Sequence, residues 1–268
     1  DLWPRSMYAV GVVKPGLLFS IMESLELFLY RQSACIVALT QAFKVNLVTR
    51  NIPETKIHVV INGVDLPRYQ GIDENSQSFS NLGLEKKFVV GYVGTLGMAH
   101  DLENVLSAAS LMVDNKDIMF LFVGSGADKE KLEKIVQEES LKNVIFLGRK
   151  PKEMIPEIWN LCNIALVHLK NEVAFSEVIP SKIFEAMGMG LPILLVSPKG
   201  EASQLVELNK CGEWVPSGDP QTLSVTIESL ASDIPRLKDY SRASKKLAPS
   251  YSREVQAKKF LNVMETCI

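Results

Sequence analysis

Short apolar runs alternate with helically periodic segments over most of the 268-residue chain. Apolar strands in alternation with helices predict a parallel sheet covered on both faces, whose ligands bind at the carboxyl ends of the strands. The predicted strands are Phe88–Val93, Ile118–Val123, Val144–Leu147, Ile164–Leu169, Ile193–Val196 and a short one at Trp214–Val215. The predicted helices are Leu102–Met112, Lys129–Glu139, Met154–Leu161, Ser181–Met187, Glu201–Asn209 and Gln221–Ala231.

A smaller α/β unit precedes this alternation. Its predicted elements are a helix at 16–31, a strand at 34–39, a helix at 41–50 and a strand at 57–61. The turn Asn62-Gly-Val-Asp65 follows, and residues 66 to 86 are polar enough to mark a domain boundary. We therefore expect a first domain at 1–66, a linker at 67–86, a second domain at 87–232 and C-terminal helices at 233–268 that cross back.

The segment Leu17–Tyr30 is strongly apolar but is interrupted by Glu23 and Glu26. It is shorter than the ~20 residues that a membrane span needs. A helix packed in the core is the simplest prediction, and a helix lying on a membrane surface is the alternative. The basic helical tail after Pro235 is expected to present a solvated face, or to add to that membrane contact.

Composition narrows the class of protein. A hydrophobic content of 47%, a charged content of 22% and a net charge of −2 fit a globular protein and give no electrostatic case for nucleic acid. The four cysteines, Cys35, Cys162, Cys211 and Cys267, have no metal-ligand spacing. We expect reduced thiols, a reducing compartment and no bound metal.

Glycine turns follow three of the predicted strands. They are Gly91-Tyr-Val-Gly94-Thr95-Leu-Gly97, then Gly124-Ser-Gly126, then Gly148-Arg149. Glycines at such positions let the backbone approach a ligand and leave N–H groups free for phosphate. His100 could face an anion and Arg149 could bind a planar base, although tight turns and surface loops explain each feature equally well.

The segment Glu177-Val-Ile-Pro-Ser-Lys-Ile-Phe-Glu185 has two carboxylates around a predicted helix entry at Ser181 and Lys182. A helix entry offers unpaired N–H groups to an anion, and Lys182 adds a positive charge. Glu185 could accept hydrogen bonds from hydroxyls. The combination indicates a site for a polyol carried on a phosphate.

These phrases together resemble the retaining glycosyltransferases of GT-B fold, family 4, also called glycosyl transferases group 1. Within that family, Asp1-Leu-Trp-Pro4 and Val178–Lys182 are most similar to bacterial N-acetyl-fucosamine, O-antigen and capsule transferases. The resemblance implies transfer of a sugar, UDP-linked and of N-acetylhexosamine type, to a glycan or polyprenyl-linked acceptor on the cytoplasmic side of a membrane. A UDP-sugar 2-epimerase of the same fold and a non-catalytic nucleotide-sugar-binding module are the alternatives.

The resemblance also implies roles for individual residues. Glu185 would bind the ribose, Glu177 the donor sugar, and Gly148 and Arg149 the base. The diphosphate would be held by Lys182 and by N–H groups near Gly94, Thr95, Gly97, Gly124 and Ser181, with His100 as a possible further contact. Glu177 and Lys182 would be the catalytic pair, and no metal or other cofactor is required.

Two departures from the family pattern matter. Thr95 stands where many members carry an arginine, and His100 or Asp101 stands near a usual lysine, which leaves Lys182 as the main cation. The resemblance also places Asp1 inside the first domain, so we expect a complete second Rossmann-like domain and a partial first one. Such a chain would bind a donor but is not expected to complete transfer alone.

Overall fold

The computed structural model describes residues 3–14, 16–69 and 79–267. In the first part, a two-stranded parallel sheet pairs Ile36 with Ile57. Its buried core includes Phe43 and Leu47, which lie one helical turn apart. The elements of this part are α1 (Arg5–Ala9), α2 (Leu17–Gln32), β1 (Ile36–Ala38), α3 (Gln41–Thr49), β2 (Ile57–Val59) and α4 (Leu66–Tyr69).

The second part follows the predicted alternation. Its strands are β3 (Phe88–Val93), β4 (Ile118–Val123), β5 (Val144–Gly148), β6 (Ile164–His168), β7 (Ile193–Ser197) and β8 (Gly212–Pro216). Its helices are α5 (Leu102–Leu111), α6 (Lys129–Glu138), α7 (Ile155–Asn160), α8 (Lys182–Met189), α9 (Glu201–Leu208), α10 (Pro220–Ser232), α11 (Ile234–Leu247) and α12 (Arg253–Thr266). Asp219 caps α10 by accepting from Thr222 N at 3.0 Å, and Pro220 occupies its first turn.

The six strands form one parallel sheet in the order β5-β4-β3-β6-β7-β8. Both faces are buried, since Val90 and Tyr92 belong to one core cluster and Val89 and Val93 to the other. The predicted α/β architecture with a covered parallel sheet is therefore confirmed. The strand order reverses between β3 and β6, and open sheets of this kind bind ligands in the crevice at that point.

Helix α2 packs against the first core only in part, through Leu27 and Tyr30. Six of its apolar side chains are exposed: Leu17, Leu18, Ile21, Leu25, Phe28 and Leu29. The fully buried residue of α2 is Glu26, which forms an ion pair with Arg50 at the end of α3. Arg50 also binds Glu23, at 3.3 Å, so the inward side of the helix combines these carboxylates with Leu27 and Tyr30.

The alternative, that α2 lies on a membrane surface, stays a prediction. The six exposed apolar side chains would make that contact. Within residues 3–14, 16–69 and 79–267, no helix combines the length and the apolar character that crossing a bilayer requires.

Apolar side chains of both parts, among them Ala9 and Phe175, form one buried cluster, and hydrogen bonds join the parts at several places. Val64 N donates to Tyr251 O and Arg253 N donates to Val64 O, both at 2.8 Å, so the exit from the first part lies against the start of α12. The Glu201 carboxylate accepts from the backbone N–H groups of Gln41 and Ala42, at 3.0 and 2.7 Å. Glu201 therefore caps the N-terminus of α3 from the other part of the molecule.

The predicted domain limits stay predictions. Residues 70–78 of the expected 67–86 linker lie outside the described residues, and its flanks carry the short helix α4 and a 3₁₀ turn at Ser80–Leu82. The four cysteines are free thiols, with Cys162 and Cys211 buried and Cys35 and Cys267 half-buried. The expectation of reduced thiols stays a prediction.

Candidate functional site

Two glycine turns pack against each other where β3 and β4 end. Gly94 has φ of +148° and Gly124 has φ of +149°, values that L side chains rarely adopt. A Cβ at Gly124 would lie 1.8 Å from Gly94 O, and a Cβ at Gly94 would lie 2.9 Å from Lys182 Nζ. Both positions therefore require glycine, which lets the two turns and Lys182 lie close together at this edge of the sheet.

Helix α8 begins at the same edge and brings Lys182 under the Gly94 turn. The Nζ atom lies 3.9 Å from the centroid of the Tyr92 ring. It is buried and has no hydrogen-bond partner among the described residues. Burial lowers the pKa of Lys182 to about 7, although the nearby Glu185 carboxylate opposes the shift.

A buried ammonium without a partner costs several kcal/mol because its lost hydration is not replaced. The face of the Tyr92 ring offsets part of this cost. The geometry therefore fits an anion that would supply the missing acceptor, next to the start of α8, where Ser181 makes no side-chain cap.

Glu185 lies one turn further along α8. Burial raises the pKa of its carboxyl, while Tyr69, Trp159, Lys182 and Arg253 favour the ionised form. The Trp159 indole Nε1 lies beside this carboxyl without completing a hydrogen bond among the described groups. Glu185 thus has acceptor capacity left for hydroxyls of a ligand.

Two neutral histidines lie behind Lys182. His100 Nδ1 is 3.0 Å from the carbonyl oxygen of His168, so this nitrogen carries the proton that it donates. Burial and the charge of Lys182 lower the pKa of His100 to about 4. His168 is fully buried, its Nε2 lies 3.0 Å from Asn104 Oδ1, and burial lowers its pKa to about 3. At pH 7 both histidines are therefore uncharged, and Lys182 is the titrating cation of this corner.

The two glycine turns, His100, Lys182 and Glu185 line a cleft of about 1280 Å³ between the two parts of the molecule, and Tyr92, Trp159 and His168 lie behind this lining. Its lining carries two acidic side chains, Asp65 and Glu185. Its cationic lining residues are Arg68, Arg149, Lys150, Lys152, Lys182 and Arg253. Such a basic cleft, on a chain with net charge −2, favours an anionic ligand.

The cleft brings together eight of the predicted site residues: Gly94, Thr95, His100, Gly124, Arg149, Ser181, Lys182 and Glu185. Among the described residues, Gly97, Gly148 and Glu177 do not line it. The Glu177 carboxylate turns to Asn46, whose Nδ2 donates to both of its oxygens at 2.9 and 3.1 Å. The binding roles of all these residues stay predictions.

Sequence reasoning missed three residues of the site. Arg68 and Arg253 line the cleft from α4 and from the first turn of α12, which are distant from the glycine turns along the chain. His168 is the last residue of β6. It is a single polar residue within an apolar run, and no motif marks it as part of a site. Elsewhere in the described ranges, no three His, Cys, Asp or Glu side chains cluster as metal ligands would.

Known proteins resemble this chain in sequence and in fold. Residues 73–247 match the family described as glycosyl transferases group 1. A probable glycosyltransferase, WbjE, of Pseudomonas aeruginosa is 26% identical over 264 residues, which are 97% of this chain and 65% of that protein. A putative colanic acid biosynthesis glycosyl transferase, WcaI, of Escherichia coli (strain K12) is 31% identical over 106 residues, 40% of this chain and 26% of that protein.

Solved structures have the same fold. Anabaena Alr3699/HepE in complex with UDP aligns with a TM-score of 0.81 and 19% identity over 95% of this chain and 70% of that one. WaaG, a glycosyltransferase involved in lipopolysaccharide biosynthesis, aligns with a TM-score of 0.77 and 14% identity over 97% of this chain and 72% of that one. Because the family match covers more than half of the residues, this chain belongs to the glycosyl transferases group 1 family.

Proposed function

We propose that this chain binds the nucleotide diphosphate sugar of a retaining glycosyltransferase that builds a cell-surface polysaccharide. The donor would be UDP-linked and of N-acetylhexosamine type, and the acceptor a glycan or a polyprenyl-linked sugar. The chain spans 65% of the length of WbjE, and the activity proposed is that of the whole protein.

The observation that carries the proposal is the unpartnered Lys182 ammonium, buried under the Gly94 turn beside Glu185. A diphosphate would supply the acceptor that Lys182 lacks, and the ribose hydroxyls would donate to Glu185. During transfer, negative charge grows on the leaving diphosphate. Lys182 is placed to stabilise that charge without a metal ion.

Relatives support the finer parts of the proposal. HepE was solved with UDP and glucose, and WaaG acts in lipopolysaccharide biosynthesis. The capsular polysaccharide biosynthesis glycosyltransferase CapM of Staphylococcus aureus is 21% identical over 234 residues. Retention at the anomeric carbon is what the family resemblance implies, and the N-acetylated sugar is what the resemblance of Asp1–Pro4 and Val178–Lys182 implies. A screen of UDP-sugars for binding and transfer tests the donor sugar, and NMR of the anomeric configuration of the product tests retention.

The ribose role of Glu185 has a specific test. We expect Glu185→Ala to weaken UDP binding by about 10- to 100-fold, since a hydrogen bond to a charged group contributes ~1.5–3 kcal/mol. The variant should bind 2′,3′-dideoxy-UDP as the unaltered protein does, because that analogue lacks the two hydroxyls. Glu228→Ala, an exposed glutamate outside the cleft lining, is the matched control.

Calorimetry measures the affinity of the unaltered protein and of Glu185→Ala for UDP and for its dideoxy analogue. An equal loss of affinity for UDP and its dideoxy analogue would place Glu185 away from the ribose. Unchanged affinity for both ligands would remove Glu185 from the donor site altogether.

Proton uptake gives a second test. The Lys182 pKa lies near 7 in the free protein, and a bound diphosphate would raise it. At pH 8.5 we therefore expect UDP binding to take up close to one proton, and at pH 6 far less. The enthalpy measured in two buffers of different ionisation enthalpy gives this number, and Lys182→Met should abolish the uptake at pH 8.5. Equal uptake in Lys182→Met and the unaltered protein would contradict the assignment.

A further inference from the structure

Two of the four cysteines lie next to each other although they are far apart in the sequence. Cys35 lies between α2 and β1, and Cys267 directly follows α12. Their side chains share a hydrogen bond, which is the main reason why the pKa of the Cys35 thiol is raised, with desolvation and the charge of Cys267 adding to the effect. Both residues are half-buried, so a small reagent can reach them, whereas Cys162 and Cys211 are buried in the second part.

Helix α12 leads from the contact at Val64 to this pair of thiols. Its first turn lies against Gly63, since a Cβ at Gly63 would lie 2.7 Å from Tyr251 O and 3.1 Å from the Gln256 side chain. The helix has 14 residues and is therefore about 20 Å long. Because Gly63 follows β2 and Cys35 precedes β1, α12 runs along the two-stranded parallel sheet from its carboxyl end to its amino end.

Between its two ends, α12 is held weakly. Gln256 is its buried residue, and its large apolar side chains Phe260, Leu261 and Met264 are exposed. A helix that buries so little apolar surface can separate locally from the rest of a protein at a low cost in free energy. The position of the far end of α12 therefore depends on the contact between its last turn and the segment at Cys35.

We propose that Cys35 and Cys267 form a reversible disulfide, which fixes the far end of α12 on the first part of the molecule. The proposal is independent of the proposed function. A disulfide here would join the two ends of a very long loop of the chain, and the loss of unfolded-state entropy on closing a loop stabilises the folded state. The helix would then move with the first part when the cleft opens.

The oxidant is a small-molecule disulfide, for which oxidised glutathione is the probe. One cysteine thiolate attacks it, forms a mixed disulfide with one glutathione and releases the other as a thiol. The second thiolate then attacks the protein sulfur of the mixed disulfide and releases the remaining glutathione. Two electrons pass from the protein thiols to the oxidant, and the two thiol protons end on the two glutathione molecules.

The experiment treats the full-length protein with oxidised glutathione or with dithiothreitol, and maps its disulfides by mass spectrometry of peptides that have not been reduced. The variants Cys35→Ser and Cys267→Ser each remove one thiol of the pair. Cys211→Ala, at a buried cysteine whose thiol bonds Val206 O, is the matched control. Hydrogen–deuterium exchange and thermal unfolding measure the effect on the fold.

We expect a single linked peptide pair, Cys35 with Cys267, in the unaltered protein and in Cys211→Ala, and none in the two serine variants. Oxidation should raise the melting temperature by about 5–10 °C. It should slow amide exchange in the last turn of α12 about tenfold or more and leave exchange in α10 unchanged. Dithiothreitol should reverse all of these changes.

Three results would overturn the proposal. They are a disulfide between two copies of the chain, a link through a different cysteine, and glutathione adducts that persist without a link between Cys35 and Cys267. A link that forms without slower exchange in α12 would refute the effect on the helix. Melting temperatures in dithiothreitol identify a serine variant that has unfolded, and the mapping of the unaltered protein and of Cys211→Ala then decides.

Discussion

Replacement of Lys182 by methionine is expected to weaken UDP binding about 100-fold, equivalent to ~3 kcal/mol. Methionine retains much of the length and volume of the side chain but has no charge for the diphosphate. In the ligand-free protein the same change should raise the free energy of unfolding by about 1 kcal/mol, since it removes a buried amine without a hydrogen-bond partner. Loss of affinity with a gain of stability is the signature of a binding residue.

Calorimetry and thermal unfolding measure the two effects. Lys199→Met is the matched control, because Lys199 Nζ also lies over an aromatic ring, 5.5 Å from the centroid of Trp214, but outside the cleft lining. It should leave UDP affinity unchanged. Undiminished UDP affinity in Lys182→Met would refute the role of Lys182.

The stability of the ligand-free protein should also depend on pH through Lys182. Its pKa is about 7 in the folded chain and 10.5 without the perturbation. Between these values the unfolded chain binds more protons than the folded one, so this group makes stability rise with pH. Lys182→Met should reduce the rise in stability between about pH 7 and pH 10.5.

The substitution Gly124→Ala is expected to lower the free energy of unfolding by ~3 kcal/mol or more. The new methyl group would lie 1.8 Å from Gly94 O at a φ of +149°, so both contact and backbone conformation oppose it. Relief of the clash would displace the Gly94 turn from Lys182 and weaken UDP binding as well. Denaturant unfolding monitored by tryptophan fluorescence, with UDP titrations, measures both effects.

Gly148→Ala is the comparison variant, because Gly148 has φ of +65° but no heavy atom within 4 Å of the position that a new methyl group would take. Only the cost of the left-handed conformation remains, about 1 kcal/mol. Similar losses in the two variants would mean that the contact between the Gly94 and Gly124 turns contributes little to stability.

The sheet could be predicted from the sequence because each strand is a short apolar run and each helix has its own periodicity. Phe88–Val93 and Ile118–Val123 agree with the structure at both ends. The last strand was predicted too short: β8 extends over Gly212–Pro216, although only Trp214 and Val215 have strong strand propensity. The glycine turns were predictable because their backbone requirement is local.

The chemistry of the site depends on contacts between distant residues, which no local pattern encodes. The helix entry at Lys182 was predicted, but its burial against Tyr92 depends on packing of α8 over β3. The direction of Glu177 depends on Asn46, 131 residues earlier in the chain. Glu201 was predicted as an ordinary first-turn residue of α9, and the structure shows that it also caps α3.

The contact between Val64 and the start of α12 determines how the cleft can open. The chain passes between the two parts at Val64 and again near Ser252, and these passages are joined by two backbone hydrogen bonds of 2.8 Å. Rotation about this line preserves both bonds, whereas sliding breaks them. At the other side, side-chain hydrogen bonds of Glu201 and of the Asn46–Glu177 pair hold the parts, together with a buried apolar cluster that includes Ala9 and Phe175. We therefore expect the cleft to open by rotation about Val64 and Ser252, with the loss of those contacts.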